Sequence, residues 1–381
     1  MKHFIRIVIL LVIFLGLSFQ SQAVTSFAKK YDMPCSSCHT AFPQLNQFGR
    51  NFKEAGYRID GIKNDFILSP RFSLDKSMPI SAVLVARPYD KKESGDKKVR
   101  AIHEVELIFA ANITNDWSIF FELEAEDETN FEPVIPLAVL TYNYSKAINL
   151  QFSYGDMFFS DPYGFLGDHF RMTRGHVKVI DEAFGGADNG GKLRSARQNV
   201  STYGRVFERL FYSVALSGGS DDTEGEDANI WSGRLAFDVT DQLMIGGLIV
   251  DGTEAESNRG FSRIGIDAQF DYEQLRIQGA FINATDDDID MSEQDNIAYS
   301  IQAMYRLVTS NNDQWVPLIR LDNFEKNDGN DGNDEYTELT ANLSWYFSEN
   351  SKVYLEYWKQ LDVPTTKDED SRLTLQAVVV F

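Results

Sequence analysis

The sequence predicts an all-β fold: a transmembrane antiparallel β-barrel of about 16 strands, range 14–18, with a small, mostly helical N-terminal segment plugging its lumen. Three observations predict it. From residue 65 onward, stretches of about ten residues alternate apolar and polar, the length at which a tilted strand crosses a bilayer. The connectors between them alternate in kind, some tight and others long and polar. A leader suited to export precedes both.

The leader reads MKHFIRIVILLVIFLGLSFQSQAVTS. Lys2 and Arg6 supply its positive start, Ile7 to Leu17 its apolar centre, and Ser21-Gln22-Ala23 a small-residue exit. Residues 1–23 are therefore expected to be a secretory signal peptide, cut after Ala23. The apolar run falls short of the roughly 20 residues needed for a helical span. Formal net charge is −21. Both residues 1–23 and residues 24–62 are net basic, so the acidic excess belongs wholly to the remainder. Such a body excludes nucleic acid as a partner and attracts cations. Two cysteines in 381 residues exclude a disulfide scaffold.

Both cysteines fall in Cys35-Ser36-Ser37-Cys38-His39. In an exported chain this C-x-x-C-H spacing reads as the covalent site of one haem c. Cys35 and Cys38 would form thioethers to the two vinyl groups, and His39 would be the proximal metal ligand. A redox disulfide would need a βαβ frame for which too little chain precedes Cys35, and a structural zinc would need two further ligands. Phe42, Leu45, Phe48, Phe52 and Ala55 then recur at helical spacing, with Thr40 as cap and Gly56 as stop. Residues 24–62 are thus expected to form a c-type monohaem segment, too small to bury a macrocycle alone. It is expected to dock in the lumen against Glu104, Glu106, Glu122 and Glu124. Met33, Met78, His103, Met157, Met172, His169 and His176 are the weak candidates for a sixth ligand.

Residues 63–381 are expected to form the outer-membrane barrel. In DWSIFFELEAE, Trp117, Ile119, Phe121 and Leu123 oppose Ser118, Phe120, Glu122 and Glu124; in SRIGIDAQFD, Ile264, Ile266, Ala268 and Phe270 oppose Gly265, Asp267 and Gln269. The strand RLTLQAVVVF ends on Phe381. Tight connectors surround Asn115 and Asp241; long polar ones cover 218–229, 283–295, 325–335 and 363–371. Residues 158–200 break the pattern and are read as a constriction folded inward or an exposed loop. A soluble sandwich also alternates, but charges within the strand pattern and aromatics along the apolar face favour a barrel in lipid.

The string FAKKYDMPCSSCHTAFPQLNQFGRNFKEAGY, residues 27–57, resembles the fused cytochrome–porin family, through Phe27, Ala28, the C-x-x-C-H, Phe42-Pro43, Leu45, Phe48-Gly49, Phe52 and Gly56-Tyr57. That family includes outer-membrane monohaem cytochromes implicated in extracellular iron(II) oxidation. The resemblance implies a cell outer-membrane location and a lipid bilayer as surroundings. It also implies an electron conduit through a single c-type haem. The electrons would pass between an extracellular reduced metal, such as iron(II), or another small redox donor and a periplasmic cytochrome or other electron carrier. The enzymatic expectation is an iron(II)-oxidising cytochrome, and otherwise an electron carrier. The alternative is transport: a cation-favouring porin with a haem-bearing structural or regulatory plug. A third reading is a soluble periplasmic haem protein.

Overall fold

The alternating segments close on themselves. A computed structural model describes residues 25–59, 61–62, 79–167, 170–182, 184, 191–219, 229–253, 259–287, 292–309, 313–326 and 334–381. The expected signal peptide, Met78, His169 and the tips of several long polar loops lie outside these residues.

The N-terminal part comprises α1 (Thr25–Tyr31), a 3-10 turn (Cys35–Ser37), a hairpin of β1 (His39–Ala41) and β2 (Gln44–Leu45), and α2 (Gln47–Glu54). It is less helical than expected. The aromatic helix foreseen from Phe42 onward starts only at Gln47, because residues 39–45 pair as a hairpin instead. Asn46, rather than Thr40, caps α2, its side chain accepting from the Gly49 amide at 2.9 Å. The expected stop holds: Gly56 has φ +62°, a left-handed conformation suited to glycine.

Wall strands run from β3 (Ile80–Lys92) to β19 (Ser371–Val380), every hydrogen-bonded neighbour antiparallel. Two of the seventeen segments, β14 (Glu293–Tyr305) and β15 (Leu307–Val308), are one stave interrupted at Arg306, so sixteen staves form the cylinder. Closure is direct. Val378 of β19 faces Val85 of β3, and the Phe381 and Ala82 backbones exchange hydrogen bonds of 2.7 and 2.9 Å. No sheet edge remains unpaired there, the condition a sheet must meet in hydrocarbon.

Period-two patterning turns the wall inside out relative to a soluble sandwich. In β12 (Gly260–Tyr272), Arg263, Asp267 and Gln269 are buried towards the lumen, while Ile264 and Ile266 are 60% and 65% exposed on the outer face. β5 (Trp117–Glu126) does the same with Ser118 and Glu122 inward. Apolar side chains facing outward have lipid as their solvent. No helix among the described residues is long and apolar enough to cross a membrane. The crossing is by strands.

The lumen is filled from two sources. The connection between β7 (Ile148–Gly155) and β8 (Arg197–Val206) folds inward, carrying the short helix α3 (Lys178–Asp181). Phe158, Phe165, Val179 and Phe184 pack on an apolar patch of the inner wall that includes Ile230, Val250 and Ile282. Of the two readings of residues 158–200, the constriction folded inward is the one that the described residues of this stretch form. An arginine locks it: Arg234 Nε donates to Asp161 at 3.0 Å, and Arg234 Nη1 to Asp267 at 2.6 Å, all three side chains withdrawn from solvent. Opposite, Phe27, Phe52 and Tyr57 of the N-terminal part pack near Val83, Ile108, Phe120 and Val139 of the wall.

Candidate functional site

The 3-10 turn brings Cys35 and Cys38 to one side of the chain, with the Cys38 amide donating to the Cys35 carbonyl at 3.0 Å. The close approach of α2 behind them requires Gly49, where a Cβ would collide with the Cys38 carbonyl. The turn is tethered to the wall by Glu349, which accepts from the Cys35 amide at 2.7 Å and from the Ser36 hydroxyl at 3.2 Å.

His39 follows in β1, half-buried. Its Nδ1 lies 2.9 Å from the Pro43 carbonyl, which can only accept, so Nδ1 carries the proton and Nε2 keeps its lone pair. Burial pushes the ring down to about 4, against the opposing hydrogen bond to Pro43, so the imidazole is neutral at pH 7. Burial also pushes the Cys38 thiol up to about 11. All three residues line one cavity. Its remaining wall is largely apolar: Phe42, Phe48 and Phe52 from the N-terminal part, Phe120 from β5, Phe159 and Phe170 from the inward connection.

These residues fit a haem. Two thiols at the required spacing, a neutral imidazole with a free ring nitrogen and an aromatic enclosure face the same space. Of the sixth-ligand candidates, Met33 lines the cavity. The others among the described residues do not. His103 bonds Asp127 at 2.7 Å, His176 accepts from Arg171 at 2.8 Å, and Met157 and Met172 are buried in separate apolar clusters.

The docking partners differ from those expected. The N-terminal part is held by Asn112, Asn143, Arg205, Asp271, Arg276 and Tyr346. Glu104, Glu106, Glu122 and Glu124 line a second lumen cavity, which, among the described residues, the N-terminal part reaches only through Phe42 and Pro43. The reason is that α1 and α2 enter at the end of the short turns, where these partners cluster, whereas the glutamates lie farther along β4 (Lys97–Asn112) and β5. Sequence spacing misses Glu349, Tyr346 and Phe170, which come from distant segments. Phe120 does leave a signal, as the aromatic on an otherwise polar inward face.

The barrel matches solved outer-membrane structures. With OmpF of Salmonella typhi, in complex with daunomycin, the TM-score is 0.61 at 13% identity, covering 83% of this chain and all of that one. With an anion-selective porin from Comamonas acidovorans it is 0.57 at 13% identity, covering 79% and 98%. The fold is that of a porin barrel. The outer-membrane channel DcaP of Acinetobacter baumannii is similar too, with a TM-score of 0.54 at 11% identity, covering 83% of this chain and 99% of that one. No protein-family model and no curated protein matches the chain. The barrel places the protein in the outer membrane, with the lipid bilayer as its surroundings.

These likenesses correct the expected kinship with fused cytochrome–porins, which rested on residues 27–57, whereas the porin likeness covers 79% to 83% of the chain. The electron conduit, the iron(II)-oxidising role and the cytochrome c, haem, iron and electron-transport attributes drawn from that kinship are withdrawn with it, because the matched structures are porins and an outer-membrane channel. The expected redox partners have no support in them either. The cysteine–histidine motif is a separate matter, because it stands on the residues themselves.

Proposed function

We propose that the chain is a cation-favouring outer-membrane channel whose N-terminal segment is a structural plug carrying a covalent haem. The division into a leader at 1–23, a plug at 24–62 and a wall at 63–381 belongs to this reading. The observation that carries it is the inside-out wall: polar and charged towards a lumen, apolar towards lipid, with the N-terminal residues hydrogen-bonded to its inner face. Glu104, Glu106, Glu122, Glu124 and Glu126 line open lumen space, where carboxylates raise the local concentration of cations.

In the plug, Cys35 and Cys38 would hold the haem covalently and His39 Nε2 would face its iron. When bound, the haem supplies a rigid, planar, largely apolar body and one metal centre. The chain's own residues do the rest. Pro43 fixes the His39 tautomer, Glu349 pins the cysteine turn, and the phenylalanines exclude water from the enclosure.

The test is conductance of the purified full chain in a planar bilayer under a potassium chloride gradient. A reversal potential of the sign for cation preference supports the reading, and a closed barrel or anion preference overturns it. A haem stain that survives denaturing electrophoresis supports the covalent haem, and a colourless band refutes it.

A further inference from the structure

From the carboxylates that line the second lumen cavity, we infer that the inner wall holds a hard divalent metal cation between β4 and β5, bound by Glu104, Glu106, Glu124 and Glu126. Strand register brings these acids together: Glu104 lies directly opposite Glu126, and Glu106 directly opposite Glu124. Glu122, opposite Ile108, adds the next rung. Side chains opposite one another in an antiparallel pair stand about 5 Å apart, and like charges there repel. Two such pairs stacked on one inward face therefore call for a counter-ion.

Glu106 carries the second observation. It is 8% exposed, lines the cavity, and its Oε2 is buried without a hydrogen-bond partner. A buried carboxylate oxygen left in this state is costly unless a ligand meets it. Geometry already gathers a partial ligand set beside it, since Glu104 and Glu126 each bring an oxygen within 4.8 Å of the other's and of a His103 ring nitrogen.

One basic group facing the same space does answer these carboxylates: Arg171, which also donates to His176, stands near Glu104, Glu106 and Glu124, a single positive charge against four acids. The others are engaged elsewhere: Arg194 and Lys192 pair with Asp181, and Lys352 lies over the Tyr346 and Tyr354 rings. Among the described residues, Glu106 and Glu124 form no ion pair. An all-oxygen, carboxylate-rich set suits a cation of the calcium or manganese(II) kind rather than one that prefers sulfur or nitrogen.

The inference rests on the lumen being accessible to ions, as the channel reading requires, but it is tested at equilibrium, without current. Manganese(II) is titrated into the detergent-folded full chain, and the free ion is read by electron paramagnetic resonance. One bound ion per chain is expected, displaced by calcium. Glu106→Gln and Glu124→Gln should each weaken binding at least tenfold, while Asp96→Asn, on an exposed turn, should leave it unchanged. Heat-shifted gel mobility shows that each variant has closed its barrel. If native protein binds no manganese(II), or if a folded Glu106→Gln binds as tightly as native, the inference is overturned. A barrel that conducts yet binds no manganese(II) loses this inference and keeps the channel; one that binds without conducting does the reverse.

Discussion

Arg205 of the wall grips Glu54 at the end of α2, donating to its two carboxylate oxygens at 2.8 and 2.6 Å, while its remaining nitrogen reaches Asp238 at 2.7 Å. Both partners of the clamp are largely buried. A bidentate guanidinium–carboxylate pair of this kind fixes orientation as well as distance. It joins the plug helix to β8 and, through Tyr163, to the inward connection.

Removing one side of such a clamp strands the other. Arg205→Ala should loosen the plug by about 3 kcal/mol, because Glu54 is left buried and unpaired. Limited proteolysis within residues 47–58 should quicken while the barrel keeps its heat-shifted mobility. Single-channel conductance should rise as the plug leaves its seat.

The double variant Cys35→Ser, Cys38→Ser should lose covalent haem and still assemble a barrel, because both cysteines lie outside the wall strands. Haem staining and gel mobility read the two outcomes separately. Loss of the heat-shifted band together with the stain would show that plug and wall fold as one unit.

Gly49→Ala tests the enclosure without touching a ligand. Its methyl group would meet the Cys38 carbonyl and push the cysteine turn away from α2. Haem stain per barrel should fall several-fold, with no change in the wall's mobility on gels.

Asp370 gives a pH dependence. Burial alone would raise its carboxyl, but hydrogen bonds from Lys92, the Ser94 hydroxyl and the Ser94 and Ser371 amides hold it well below the usual carboxylate range. A depressed folded-state value adds stability that is complete above the unfolded value near 4 and is lost as pH falls through the folded one. The turn joining β3 to β4 should therefore become cleavable under acid, with protection intact at neutral pH. Asp370→Asn should show that cleavage at neutral pH.

The polar loop NDGNDGNDE at 327–335 should face the cell exterior, and its residues 327–333 lie outside the described structure. External protease should cut intact cells there. Cutting near Asn115 with protection at 327–335 would reverse the barrel's orientation.

The wall was legible because period-two alternation is a local property. Ile264 and Ile266 against Asp267 and Gln269 already separate the lipid face from the lumen face within a single strand. The direction in which each face points also follows, since Glu122 and Glu124 could not face hydrocarbon. The cysteine–histidine turn was equally local. What spacing could not supply was the far side of the enclosure. Phe170 and Glu349 reach the cysteine turn only once the cylinder has closed, and nothing in their own neighbourhoods marks them; Phe120 is marked only by its place on an otherwise polar inward face. The start of α2 was misjudged for a related reason: helical spacing from Phe42 competed with the pairing of His39 to Leu45, and the hairpin won.

The tether between the Cys35 amide and Glu349 spans 314 positions in the chain. Together with Asn112, Arg205 and Arg276, it means that the plug's socket is assembled from nearly the whole circumference. The segment made first by the ribosome is therefore the last to find its seat, and must be kept soluble in the periplasm until the final hairpin is in place. Seating then reports that the cylinder is complete: a barrel halted before its last staves would leave its leading end dangling, exposed to whatever proteases patrol that compartment.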